Sequence, residues 1–174
     1  MMPTKDYLNS LFEYKDGNLY WKISKGAKKA GSKAGTLKPD GCLHICIDKK
    51  MYLLHRIIFM MNYGYLPKQI DHIDGNRSNN HIDNLRPATH SQNAQNAKVR
   101  KDSINGLKNI KFNQKNKTWD VRIQANKTRL FIGSFKDLEL AELVAMEARN
   151  KYHNQFARHG NVMADAKAYV ASLP

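Results

Sequence analysis

The chain has 174 residues, a length that holds one ordinary domain or two small ones and excludes a large multidomain enzyme. Lysine and arginine number 29 against 15 acidic residues, a formal charge of +14, while 41% of residues are hydrophobic and 25% charged. That balance describes a folded basic protein with a polyanionic partner and excludes a disordered basic tail.

The two cysteines, Cys42 and Cys46, form neither a secreted disulfide framework nor the paired C-x-x-C sets of structural zinc, so a reducing interior is expected. The opening residues lack the apolar core of a signal peptide, and the apolar run 53–61 is too short to span a bilayer and is broken by His55 and Arg56. Phe12 to Trp21 reads as a hairpin around Asp16-Gly17, a dipeptide that tolerates the positive φ of a tight turn. Residues 22–38 hold six lysines, three glycines and no acid, the composition of a mobile loop that either lies along phosphates or is simply solvated. A second hairpin is expected from Cys42 to Leu53, where Leu43, Ile45 and Ile47 alternate with Cys42, His44 and Cys46 across a turn at Asp48-Lys49-Lys50. Both thiols then share one face and read as small buried hydrophobes rather than a metal pair. Leu54 to Tyr63 is apolar and Gly64 is a stop signal, so a short helix is predicted to pack on the sheet.

Residues 69–86 run Gln-Ile-Asp-His-Ile-Asp-Gly-Asn-Arg-Ser-Asn-Asn-His-Ile-Asp-Asn-Leu-Arg. Turn chemistry explains the Gly and Asn of this stretch. It does not explain Asp71-His72 directly after an apolar strand residue, where a carboxylate suited to a hard cation stands beside an imidazole able to take a proton. That pairing suits phosphodiester hydrolysis. Thr89-His90-Ser91-Gln92 is a capping box that opens a helix, with Asn93 in its first turns and Asn96 on nearly the same face.

The pattern D-H-I-D-G-N-x-x-N-N-x-x-x-N-L-R followed by T-x-x-x-N resembles the HNH nuclease family of phage homing endonucleases, and Leu54-His55-Arg56 and Leu66-Pro67 extend the likeness over residues 10–100. The resemblance implies an α+β chain with a ββα-metal (HNH, His-Me finger) nuclease domain. It implies His72 as the general base and Asp71 and Asn93 as ligands of one Mg²⁺ or Mn²⁺. Asn84 then holds the strand geometry and orients the imidazole without touching the metal. The final letter of the motif is Asn here rather than His, which favours an oxygen-loving cation, and no zinc is expected. Asp74, Asp83, His81 and His90 read as turn, solvent or phosphate residues, Arg86 as a steadying contact to the DNA backbone, and His55 receives no role.

Further on, Trp119 to Gln124 alternates strictly, so Trp119, Val121 and Ile123 are predicted inward and Asp120, Arg122 and Gln124 outward. Flanking runs at 109–112 and 129–135 complete three antiparallel strands, and Asp137 caps a helix to about Tyr152 whose Ala141, Ala145 and Ala148 allow close approach to the sheet. The phrases I-K-F-N, W-x-V-R-I and F-I-G-S-F resemble the Apetala/ethylene-response-factor type of DNA-binding domain, with Phe131 where that family often has Trp. From Lys108 to Lys136 there are eight basic residues and one acid, which supports a nucleic-acid face. Lys108, Lys111, Arg122, Gln124, Lys127 and Arg129 are the candidate contacts.

The resulting expectation is a nuclease domain at 1–100 with its catalytic core at 52–98, a linker at 101–105, a sheet-type DNA-binding domain at 106–160 and a helical tail at 161–174. Its function is expected to be that of a site-specific homing nickase on double-stranded DNA, monomeric, in the host cytoplasm and away from membranes. The rival readings are a non-catalytic DNA-binding regulator and a restriction or defence nuclease with a short target.

Overall fold

The computed structural model describes residues 2–24, 26–99, 107–125 and 127–159. The chain divides into two compact units, Met1–Thr89 and His90–Pro174. The helix that contains Asn93, expected with the nuclease domain, thus belongs to the second unit. The expected linker 101–105 and tail 161–174 lie outside the described residues.

The first unit opens on a helix that the hydrophobic pattern does not announce, α1 (Lys5–Leu11), capped by the Thr4 hydroxyl, which accepts from the Tyr7 N–H at 3.4 Å. Seven residues are too few for a helix to hold by itself; Leu8 and Leu11 are buried and the helix packs on α2. The first hairpin follows as β1 (Phe12–Lys15) and β2 (Asn18–Trp21), with Phe12 opposite Trp21 and both turn residues, Asp16 and Gly17, at positive φ. The lysine-rich stretch is not the mobile loop expected of its composition. Two short strands within it, β3 (Lys33–Ala34) and β4 (Thr36–Leu37), pair with β2 and β5. Lys28 is also tied down, its ammonium donating to the Cys46 carbonyl at 2.8 Å and standing 4.3 Å from the centre of the Trp21 ring.

The second hairpin, β5 (Leu43–Ile47) and β6 (Lys50–Leu53), turns at Asp48-Lys49, both at positive φ. Its Cys42 is buried and Cys46 half-buried, both as free thiols. Burial raises the Cys42 thiol above its usual range, and the Asp40 carboxylate adds to this. Helix α2 (Leu54–Tyr63) ends at Gly64, whose φ of 76° is the left-handed conformation that closes a helix. It buries Leu54, Ile57, Ile58 and Phe59 against Leu8, Phe12, Leu19 and Ile45, each such side chain contributing about 1.5–3 kcal/mol. The last two strands, β7 (Gln69–His72) and β8 (Leu85–Ala88), form their own antiparallel pair with Asp71 opposite Arg86 and His72 opposite Leu85.

The second unit contains α3 (His90–Asn96), then β9 (Ile110–Asn113), β10 (Thr118–Ala125) and β11 (Thr128–Phe135) in the sheet order β11-β10-β9, and α4 (Leu138–His153). The carboxylate of Asp137 caps α4 by accepting from the Leu140 N–H at 2.6 Å. Trp119 and Val121 meet Ala141 and Ala145, and Ile123 meets Ala148, so small helix residues let α4 lie close to the sheet. Asp120 keeps the outward face of the alternation and is nevertheless buried there, because the Ser134 hydroxyl and the Arg122 guanidinium on that face both donate to its carboxylate. No helix among the described residues is long and apolar enough to cross a membrane.

Candidate active site

The end of β7 brings Asp71 and His72 to one place, and both are buried, Asp71 to 3% exposure. A buried carboxylate requires compensating charge. Arg86 supplies it from the paired position on β8, donating through Nε at 2.8 Å and Nη2 at 2.7 Å to Asp71 Oδ2. Arg86, expected on the DNA backbone, is therefore turned inward onto the carboxylate, because strand pairing sets the two residues opposite each other.

Residues 73–84 form a loop closed by its own amides. Asp74 Oδ1 accepts from the Asn76 N–H at 2.8 Å and Asn84 Nδ2 at 3.0 Å, and its Oδ2 accepts from Asn79 Nδ2 at 2.7 Å. Burial pushes the Asp74 carboxyl up, but these three hydrogen bonds outweigh it and hold the group below the usual carboxylate range. Asn84 also accepts from the Asp74 N–H at 3.0 Å and donates to the Asn79 carbonyl at 2.8 Å, while its own carbonyl accepts from the Ile73 N–H. Asn84 thus fastens the two ends of the loop, and its side chain is bonded to Asp74 and Asn79.

The amide on the His72 ring is that of Asn80. Its Oδ1 lies 3.1 Å from His72 Nε2, it is 1% exposed, and its Nδ2 donates to the Ser78 carbonyl at 3.3 Å. The run Asn79-Asn80 signals in the sequence that amides close this loop, but period and spacing do not tell which one turns inward. His55 is the second residue that sequence reasoning left without a place. From the first turn of α2 its ring stands edge-on to His72, with centroids 5.0 Å apart and planes at 80°. Burial, then the His72 and Arg56 charges, push the His55 imidazole down to about 3, so it is neutral at physiological pH. His81 and Asp83 form an exposed pair at 3.4 Å, apart from this cluster.

In the second unit, Asn93 lies in the middle of α3. Lys108, expected on DNA, donates instead to the carbonyls of Gln95 at 2.6 Å and Ala97 at 2.9 Å, where a cation satisfies the end of α3. Burial, with the Arg149 charge beside it, lowers the Lys108 ammonium to about 8. The other candidates do share an open surface. Strand register places Lys111 opposite Asp120, Arg122 opposite Phe131 and Gln124 opposite Arg129, all on the sheet face away from α4, with Lys127 in the hairpin turn. Phe131 is 59% exposed, and the Arg122 guanidinium stands 5.6 Å from its ring centre.

Residues 52–95, which span α2, β7, β8 and α3, match the family model described as HNH endonuclease. Protein 3.8 of Escherichia phage T7 is 36% identical over 99 residues, covering 55% of this chain and 79% of that protein. The chain belongs to the HNH endonuclease family. The HNH match includes His55, Asp71, His72, Asn80, Asn84 and Asn93 in one span, whereas the sheet with Phe131 lies beyond it. No solved structure matches the chain.

Proposed function

We propose that this HNH chain is a divalent-metal-dependent DNA endonuclease that hydrolyses one phosphodiester bond per active site, a site-specific nickase of the homing type. The observation that carries the reading is the buried Asp71–His72 pair at the end of β7, with the imidazole held on the Asn80 amide and the carboxylate on Arg86. A residue pair kept out of water in this way costs stability, and such costs concentrate where chemistry needs them. His72 takes a proton from the attacking water, and an imidazole does this near neutral pH. His55, neutral and edge-on, walls the ring without adding a positive charge.

The Asp71 carboxylate is a donor that suits a hard cation. This is the chemistry of Mg²⁺ or Mn²⁺, which bind through one or two protein oxygens and keep several waters. When bound, such an ion neutralises charge on the scissile phosphate and on the leaving oxygen. The open sheet face of the second unit extends the contact with duplex DNA through Lys111, Arg122, Gln124, Lys127 and Arg129. Two binding surfaces on one chain suit a long asymmetric site and a monomer.

The test is conversion of supercoiled plasmid carrying phage DNA, with Mg²⁺, Mn²⁺ or chelator, by the wild type and by His72→Ala. Open circles that need the metal and fall by at least about a hundredfold in His72→Ala are expected, the scale of a lost general base. DNA that is shifted in a gel but never cut, across a broad target library, would replace this reading by that of a binding protein.

A further inference from the structure

Two nitrogen-bearing side chains of the first unit converge on Asp40, and the Asp71–His72 pair uses neither. The turn 38–42 between β4 and β5 closes by itself: the Lys38 N–H donates to the Cys42 carbonyl and the Gly41 N–H to the Lys38 carbonyl, both at 2.9 Å, and Asp40 Oδ1 accepts from the Cys42 N–H at 2.9 Å. Asp40 nevertheless holds two more partners. Its Oδ2 stands 2.9 Å from His44 Nε2, and its carbonyl accepts from Arg77 Nη1 at 3.2 Å. The bonds from Cys42 and His44 hold the Asp40 carboxyl below the usual carboxylate range, so it is ionised at neutral pH and the imidazole is the donor.

Both partners belong to the same end of the unit as Asp71 and His72. Strand register sets His44 opposite Leu53, and α2 begins at Leu54, so the start of β5 lies beside the start of α2, where His55 stands edge-on to His72. After burial and the His72 and Arg56 charges, the His44 charge also lowers the His55 imidazole. Arg77 comes from the loop after β7. That loop turns back at once, the Gly75 N–H donating to the His72 carbonyl at 2.8 Å, and returns to the His72 ring at Asn80, so Arg77 lies between two contacts with His72. It also lies against the turn of Asp40, because a Cβ added at Gly41 would stand 4.0 Å from the Arg77 Cβ.

We propose that His44 and Arg77, gathered on Asp40, clamp one backbone phosphate of duplex DNA beside the Asp71–His72 pair. The inference takes from the nuclease reading only that DNA is the polyanion. Arg77 is exposed and the His44 side chain is 23% exposed, and open contacts of this kind contribute little to folding, whereas both groups keep donors for an anion. The carbonyl uses one of the five N–H groups of the guanidinium, whose planar fork suits two phosphate oxygens. His44 already gives its Nε2–H to Asp40, so Nδ1 donates to a phosphate only after taking a proton, and the imidazolium then stands between two anions. Three groups set its charge: Asp40 on its own turn favours the proton, Arg77 on the loop opposes it, and His55 at the start of α2 is neutral near physiological pH. The cross-strand neighbours of His44, Thr36 on β4 and Leu53 on β6, carry no charge.

The experiment measures binding of the full chain to a fluorescein-labelled mixed-sequence duplex by anisotropy in EDTA, where no metal-dependent cleavage intervenes. Arg77→Met is expected to weaken binding several-fold and to lower the slope of log affinity against log salt by about 0.9, the share of one phosphate. Lys50→Met, an exposed lysine at the opposite end of the β5–β6 hairpin, is expected to keep the wild-type slope. His44→Gln, which keeps a donor to Asp40, is expected to flatten the fall of affinity that the wild type shows between about pH 6 and 8, where binding takes up a proton. Wild-type affinity and slope in Arg77→Met overturn the clamp, as does an equal loss in Lys50→Met; an unchanged pH dependence in His44→Gln overturns the part given to His44. Trp21 fluorescence reports whether each variant is folded, and where one does not fold the other decides. A duplex held by the clamp yet never cut with Mg²⁺ or Mn²⁺ refutes the nuclease reading and leaves the clamp; metal-dependent cutting with Arg77→Met at wild-type affinity refutes the clamp and leaves the nuclease reading.

Discussion

Each unit turns an arginine inward onto a carboxylate, and the two pairs are built differently. In the first unit, Arg86 and Asp71 face each other across β7 and β8 beside His72, with Arg86 keeping some access to solvent. In the second, Arg149 and Glu142 stand two turns apart on α4, Arg149 is 0% exposed, and the guanidinium also donates to the Lys108 carbonyl at 2.8 Å and to His159 at 3.3 Å. The second pair ties a helix to the strand region before β9 and touches no candidate for chemistry. The first holds a carboxylate at a strand end where a cation and a phosphate are proposed. Burial of charge by itself therefore does not mark a functional site, and its company does.

Breaking the two pairs is expected to separate them. Arg149→Met leaves the Glu142 carboxylate buried without its partner and is expected to cost the second unit about 3–5 kcal/mol, most of it recovered by adding Glu142→Leu. Arg86→Gln is expected to cost the first unit about 1.5–3 kcal/mol, the value of hydrogen bonds to a charged group, and to remove metal-dependent cleavage. Trp21 lies in the first unit and Trp119 in the second, so urea unfolding followed by fluorescence, with the other tryptophan replaced by phenylalanine, reads each unit by itself. A larger loss in Arg86→Gln than in Arg149→Met would contradict the division.

A second difference is in response to acid. The His55 pKa is about 3 in the folded protein against an ordinary 6.5, so below pH 6.5 the unfolded chain takes a proton that the folded imidazole refuses. The associated stability is fully present above about pH 6.5 and is lost as pH falls toward 3, at up to about 1.4 kcal/mol per pH unit. The first unit is thus expected to lose about 2 kcal/mol between pH 6.5 and 5, and His55→Leu to flatten that slope in the same fluorescence assay. An unchanged slope in His55→Leu would assign the acid sensitivity to other groups.

The smallest effect is expected on the open sheet face. Arg129→Ala removes an exposed side chain, so folding stability is expected to hold within about 0.5 kcal/mol. DNA affinity is expected to fall several-fold, with a shallower salt dependence. Cleavage at high protein concentration should persist; its complete loss at unchanged affinity would place this face in the chemistry rather than in binding.

The local elements of both units were legible because their signals are local. Asp16-Gly17, Gly64 and Asp137 each act through the backbone of their own turn or helix end, and the alternation from Trp119 to Ile123 reports one buried face whatever covers it. The Asp71–His72 pair was legible because two polar residues directly after an apolar strand residue have no bland account. Net charge reads Lys108 and Arg86 as DNA contacts and does not show that each is held by a partner remote in sequence or across a strand pair. The lysine-rich stretch 22–38 likewise reads as loose by composition and gains order from strands that precede and follow it.

The sequence by itself therefore determined the two hairpins, α2, the three-stranded sheet with its helix, the basic character of the chain and the pair of residues on which the chemistry is proposed, since each follows from periodicity, net charge or adjacency along the chain. The tertiary structure alone decided that Asn80 rather than Asn84 meets the His72 ring, that His55 lies edge-on to it, and that Arg86 belongs to Asp71. Those are contacts between side chains eight to seventeen residues apart. Their distances are set by strand register and by the packing of α2, neither of which leaves a periodic trace in the chain.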